Sequence, residues 1–259
     1  MSRMLHAEWT KLRTTAGPAW LLVAAVAATV ALSVLVVAAT SCPAGSACPV
    51  DTTKLSLSGV QLGQALVAIL AVLVISGEYS TGMIRITFTA LPRRLGVLAA
   101  KGVLVTGLVL AAGTLGVLGG LLAGRLILPD HGFTVAHGFA ALSLAHGPTL
   151  RAAAGSVLYL ALIGLLSLGV ATMVRDSAVA IGVILALLYL FPIVVTVTSD
   201  PKWQRHLEQI GPMTAGLAIQ ATTGLRSLPI SPWAGLGVLA AWAAGALLAG
   251  GLLLRLRDA

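Results

Sequence analysis

The chain has 259 residues, 58% of them hydrophobic and only 9% charged. A soluble domain carries roughly a quarter of its residues as charges, so this chain cannot cover itself in water and its solvent is lipid. The net charge of +8 is dispersed, with no stripe of alternating basic and aromatic residues, which excludes a nucleic-acid face and leaves the cations to mark one side of a membrane.

Residues 1–16 carry Met4, Leu5, Trp9 and Leu12 on one helical face, with Arg3, Lys11 and Arg13 away from it. This predicts a helix lying in the headgroup plane. The basic stretch is too long, and the apolar run after it too long, for a signal peptide. Residues 17–259 then form a single transmembrane domain with no room for a further soluble one. Six uncharged runs, about 18–40, 56–76, 102–124, 152–173, 178–198 and 233–254, are each long enough to cross a hydrocarbon core of about 30 Å at about 1.5 Å per residue. In lipid the backbone must satisfy its own polar groups, so these are helices, and the absence of alternating ten-residue units argues against a barrel. The fold class is therefore all-α and polytopic.

With the N-terminus inside, the cytoplasmic side holds Arg3, Lys11, Arg13, Arg85, Arg93, Arg94, Lys101, Arg175, Arg255 and Arg257. The outer side holds Lys54, Arg125, Arg151, Lys202, Arg205 and Arg226. The excess predicts that both termini are cytoplasmic. Cys42 and Cys48 follow the first span; in an outward-facing loop they are candidates for a disulfide, free thiols being the other reading. The connection MVRDSA is so short that the fourth and fifth spans must be antiparallel neighbours. His131, His137 and His146 lack a carboxylate or thiol at ligand spacing, so no metal site is expected. Segment 199–232 starts polar and turns apolar over too few residues to span. A re-entrant hairpin and an amphipathic helix on the surface both remain open.

Between the second and third spans lies GEYSTGMIRITFTALPRRLGVLAAK, residues 77–101, charged and expected in water or at the lipid surface. Gly77 would loosen the end of the second span, and Ser80 or Thr81 can cap a new helix. Ile84, Phe88 and Leu91 then share a face, with Arg85 beside them, until Pro92 stops the helix. Arg93 and Arg94 open the next element. Glu78 is the only acid here and is expected to pair with a cation, Arg85 or one on the N-terminal helix. On the residues alone, a docking element for a partner and a plain solvated loop are both open.

The N-terminal AEWTKLRTT, and Glu78, Tyr79, Gly82 and Arg85 followed by Pro92 and Arg94, resemble the permease subunits of type-2 ATP-binding-cassette (ABC) transporters, actinobacterial ones especially. The similarity runs the length of the chain. It implies that residues near 78–92 (Glu78, Tyr79, Gly82, Ile84, Arg85, Phe88, Leu91, Pro92 and, beyond them, Arg94) form a coupling helix seated on a separate ATPase. It also implies a re-entrant outer hairpin over 199–232 and a unit of two permeases, expected to be a homodimer, with two ATPases. The chain contains no GxxxxGK[ST] phosphate loop, so ATP and Mg belong to the partner. It also lacks HExxH, GxSxG and any paired-carboxylate cluster, so no catalytic residues are expected. The expected function is export of a hydrophobic or amphipathic substrate (drug, lipid or peptide) across the bacterial plasma membrane. The alternative is a membrane anchor or scaffold that transports nothing. Gly116, Gly120 and Gly124, and likewise Ala241, Gly245 and Ala249, recur at four-residue spacing and predict close helix packing.

Overall fold

A computed structural model describes residues 9–10, 16–43, 48, 50–80, 94–134, 139 and 142–256; of Glu78, Ser80 and Arg94 only the backbone is described. All regular structure among these residues is helical. Six helices are long and apolar enough to cross a membrane: Ala16–Ala39, Val60–Gly77, Leu95–His131, Gly147–Val174, Ser177–Val197 and Pro232–Leu256. They correspond to the six uncharged runs. The interfacial helix expected over 1–16 lies outside the described residues, except for Trp9 and Thr10, which are helical and exposed, and Ala16, which opens the first-span helix.

The two boundaries that flank the interruption move. The helix of the second span continues past Gly77 to Ser80, because one glycine costs a helix only about 1 kcal/mol. The third-span helix begins at Arg94 rather than 102 and runs 34 residues, about 51 Å. Residues 95–101 therefore belong to that span and not to the interruption before it.

Burial separates interior helices from peripheral ones. The fourth span is 67% buried over its most apolar window and the second 56%, against 22% for both the first and the fifth. The fourth lies against the second, third, fifth and sixth, and the second also touches the first and fifth. Leu70, Tyr159, Leu160, Ile163, Leu166, Leu168, Ile184 and Leu239 form the core at these contacts.

The first span is held by small residues. Its buried face is Ala25, Thr29, Ser33 and Val37, at four-residue spacing. A Cβ at Gly116 would lie 3.3 Å from Thr29, and one at Gly120 would lie 2.9 Å from the Ser33 hydroxyl. A Cβ at Gly124 would fall 2.0 Å from the Ser56 hydroxyl, on the short helix Thr52–Ser56. The glycine stripe of the third span therefore finds its partners in the first span and this short helix. The stripe Ala241, Gly245, Ala249 does not pack this way: a Cβ at Gly245 would meet nothing within 4 Å. Gly169 and Gly250 make the close approach between the fourth and sixth spans instead; a Cβ at Gly169 would lie 2.6 Å from the Ala246 backbone.

In the turn between the fourth and fifth spans Arg175 closes one helix in the left-handed region, at φ 64°, and Asp176 caps the next by accepting from the Val179 N–H at 2.8 Å. The fifth span contains one wide π-type turn, Ala186–Leu190, just before Pro192. A proline inside a span removes a backbone donor, and a wide turn beside it accommodates the loss.

Segment 199–232 divides into an exposed half and a buried half. Pro201–Ile210 is an exposed amphipathic helix with no buried residue. After Gly211, the helix Pro212–Gly216 and the turn Leu217–Gln220 are buried against the fourth and sixth spans. The junction at Gly211 sits well inside the bundle. A Cβ on Gly211 would lie 2.4 Å from the Phe191 ring, two turns back from the end of the fifth span. The Trp242 indole N–H donates to the Ile210 carbonyl at 2.8 Å, and Trp242 lies ten residues, about 15 Å of helix, into the sixth span. The apolar half is thus buried in the bundle, while the polar half runs exposed beside the fifth and sixth spans.

Candidate functional site

The chain alternates through six spans, so two ends of the bundle can be compared. One is the Tyr79 end; the other carries Cys42 and Asp51.

At the Tyr79 end, residues 81–93 lie outside the described residues. The expected coupling residues Gly82, Ile84, Arg85, Phe88, Leu91 and Pro92 fall there, and Glu78 and Arg94 are described only as helical backbone on either side. Tyr79 is half-buried against the core, and the Arg175 guanidinium lies over its ring, 5.4 Å from the centroid. This stacking joins the end of the second span to the turn between the fourth and fifth. Lys101 departs from expectation. It is not at a wet surface but 2% exposed, within the third-span helix, and its ammonium donates to the Val74 carbonyl of the second span at 3.1 Å. Sequence reasoning missed it because seven residues of an apolar span were assigned to the interruption.

At the opposite end the Cys42 and Cys48 sulfurs are joined in a disulfide, with Cα atoms 6.1 Å apart. The Cys42 N–H donates to the His131 carbonyl at 2.9 Å, and Val37, Leu128 and Phe133 pack around Cys42. Gly132, at φ 90°, permits that approach: a Cβ there would lie 2.2 Å from the Cys42 carbonyl oxygen.

Asp51 is the hub of this end. Its carboxylate caps the helix Thr52–Ser56, accepting from the Lys54 N–H at 3.1 Å. It also accepts from the Thr222 hydroxyl at 2.7 Å, from the Thr223 N–H at 3.0 Å and from the Thr222 N–H. Arg151, at the start of the fourth span, donates to the Ala221 carbonyl beside them. Burial pushes the Asp51 carboxyl up, but the donors from Thr222, Lys54 and Thr223 outweigh it and hold the carboxyl below its ordinary value. No sequence spacing pairs Asp51 with Thr222; only the folded hairpin brings them together.

Close to the Asp51 end runs a largely buried polar layer. The Tyr159 hydroxyl donates to Gln64 Oε1, and Gln64 Nε2 donates to Met213 Sδ at 3.3 Å. Gln220 Nε2 donates to the Ser156 hydroxyl at 3.1 Å, and the Tyr189 hydroxyl donates to the Gln61 carbonyl. The Met213 and Gln220 bonds tie segment 199–232 to the second and fourth spans, and the two tyrosines tie the fourth and fifth spans to the second. Gln64, Ser156 and Tyr159 are wholly buried and satisfied, so the layer specifies packing rather than presenting a reactive group. Among the described residues no three His, Cys, Asp or Glu side chains come together as a metal site would require.

The flanks of the sixth span are open. One groove of about 560 Å³ is lined by Leu166, Met173, Leu187, Trp242, Gly245 and Ala249. Another of about 590 Å³ is lined by Leu98, Gly102, Val103, Thr106, Leu165 and Leu247. Both are almost purely apolar and suit hydrocarbon. Neither a protein-family model nor any curated protein matches the chain.

Proposed function

We propose that this chain is the membrane-spanning permease subunit of an ATP-driven exporter of the ABC class. It works as two copies with a separate ATPase and moves a hydrophobic or amphipathic molecule across the bacterial plasma membrane. The observation that carries the reading is where segment 81–93 is rooted. Its upstream helix is the second span, an interior helix lying against the first, fourth and fifth; its downstream helix is the third. Force applied to this amphipathic segment therefore reaches the centre of the bundle rather than its rim. The partner supplies differential binding energy between two packings, and the interior helices carry it. The hairpin over 199–232, inserted among the span ends and latched by Asp51, fits a part that must shift when the far side opens. The apolar grooves fit a cargo or lipid that moves along hydrocarbon.

The test is co-purification of the chain with an ABC-class ATPase co-expressed with it. Replacing Ile84, Phe88 and Leu91 together by alanine is expected to reduce ATPase retention at least about tenfold, the equivalent of about 1.4 kcal/mol, while membrane insertion stays normal. Undiminished retention in that variant sinks the reading.

A further inference from the structure

Arg125 is exposed in the last turn of the third-span helix Arg94–Ile127. That helix is about 51 Å long, well beyond a hydrocarbon core of about 30 Å, so in a bilayer its end reaches headgroup level. Among the described residues no ion pair engages the Arg125 guanidinium. The acids of this end of the bundle are placed elsewhere. Asp51 is held by Thr222, Thr223 and the Lys54 N–H, and Asp200 caps the helix Pro201–Ile210, which also carries Glu208. Asp130, five residues beyond Arg125, is exposed and makes no pair with it. Residues 44–47, 49, 135–138 and 140–141 contain no Asp or Glu.

Arg125 lines two cavities in succession along the helix. Toward the bilayer, a groove of about 420 Å³ is walled by Leu118, Leu121 and Leu122 and, across it, by Leu142 and Leu144. From Leu118 to Arg125 it follows about 10 Å of helix. Beyond Arg125, a smaller recess of about 200 Å³ is bounded by Thr52, Leu128 and Phe133. The order is apolar groove, cation, outer recess. A free anion has no use for the groove, and a plain hydrocarbon has none for the guanidinium. A molecule with an acyl chain ending in a phosphate uses both.

We propose that this corner binds an anionic phospholipid, with its phosphate on Arg125 and one acyl chain in the groove along Leu118, Leu121 and Leu122. The guanidinium fork matches phosphate oxygens, and the lack of a neighbouring carboxylate favours a headgroup of net negative charge over a zwitterionic one. The bound chain joins the third span to the segment that leads into the fourth. The site does not rest on the permease reading.

The experiment follows Tm of the purified full-length chain in nonionic detergent, with no ATPase present. It is titrated with dioleoyl phosphatidylglycerol, with dioleoyl phosphatidylcholine and with inorganic phosphate. The anionic lipid, at about a hundredfold excess over its Kd, is expected to raise Tm by about 5–10 °C. The zwitterionic lipid is expected to give less than half that shift, and phosphate none. Arg125→Gln is expected to bring the two lipids level, while Arg226→Gln, at an exposed cation of the same end, leaves the preference intact. An undiminished preference in Arg125→Gln overturns the site. An equal loss in Arg226→Gln also overturns it, as diffuse attraction between a basic protein and anionic lipid. Stabilisation by phosphate alone overturns it in favour of a free-anion site. If Arg125→Gln gives no folded protein, Leu122→Trp, which fills the groove from an exposed position, decides. Loss of the lipid shift there supports the site, and a full shift overturns it.

Discussion

Asp51 shows what one side chain can do in a chain with so few charges. It accepts from three backbone N–H groups and one hydroxyl, which come from segments about 170 residues apart. Replacement by alanine leaves these donors to water or to nothing. Since hydrogen bonds to a charged acceptor are each worth more than neutral ones, a loss of about 2–3 kcal/mol is expected from Asp51→Ala, read as a fall in unfolding temperature. The same site makes stability depend on pH. The folded carboxyl sits below its ordinary value of 3.8, so the unfolded chain takes up the proton first as pH falls. The contribution of Asp51 is therefore complete above about pH 4 and is lost as pH drops through the folded value. Unfolding temperature followed from pH 6 to pH 3 is expected to fall more steeply in the native protein than in Asp51→Ala, and parallel curves would remove the carboxylate from this role. Asp51 was invisible as a hub beforehand. An aspartate before a short helix signals a cap, but nothing near it announces Thr222 and Thr223.

At the scale of the element, glycine spacing marked one real contact and one open face. Gly116, Gly120 and Gly124 lie against Thr29, Ser33 and Ser56. The matching signal in the first span, Ala25, Thr29, Ser33 and Val37 at the same spacing, was equally present in the sequence but hidden among many alanines and valines. Gly245 has the same sequence credentials and touches nothing. A paired substitution separates the two cases. Gly120→Val forces atoms into the Ser56 carbonyl, which a Cβ alone would approach to 2.8 Å, and is expected to cost about 1–3 kcal/mol or more. Gly245→Ala is expected to stay within about 0.5 kcal/mol of the native chain. Equal unfolding temperatures for Gly120→Val and the native protein would refute the packing of the first span on the third. Segment 199–232 follows the same logic. Its polar first half and apolar second half were plain in the residues. Which half is buried beside which span was decided by Gly211 against Phe191 and by Trp242 reaching Ile210.

Taken whole, the molecule is a helical bundle whose two most interior spans, the second and fourth, are joined by the Tyr159–Gln64 bond toward the Asp51 end and by the Tyr79–Arg175 stacking at the other. Lipid provides no hydrophobic force between helices, so packing of small residues and buried hydrogen bonds must set their arrangement. Sidedness is a property of the molecule as a whole and is expected to follow the cation count. In a background with Cys42 and Cys48 replaced by serine, a cysteine placed at Lys54 is expected to react with an impermeant reagent added to intact cells. One placed at Arg85 is expected to react only after permeabilisation. The reverse pattern would overturn the orientation, and with it the docking of an ATPase on segment 81–93.

By itself the order of residues determined six apolar runs, each long enough to cross a membrane as a helix, and one charged stretch between the second and third of them. Those are statements about transfer from water to hydrocarbon and about backbone hydrogen bonding, and both act locally along the chain. Only the tertiary structure decided which spans are interior, which glycine stripe has a partner, that Lys101 is buried, and that Asp51 holds Thr222. Every span is apolar all round, so no face of it declares its neighbour; the choice falls to steric fit and to a handful of polar groups whose partners lie far away in the sequence.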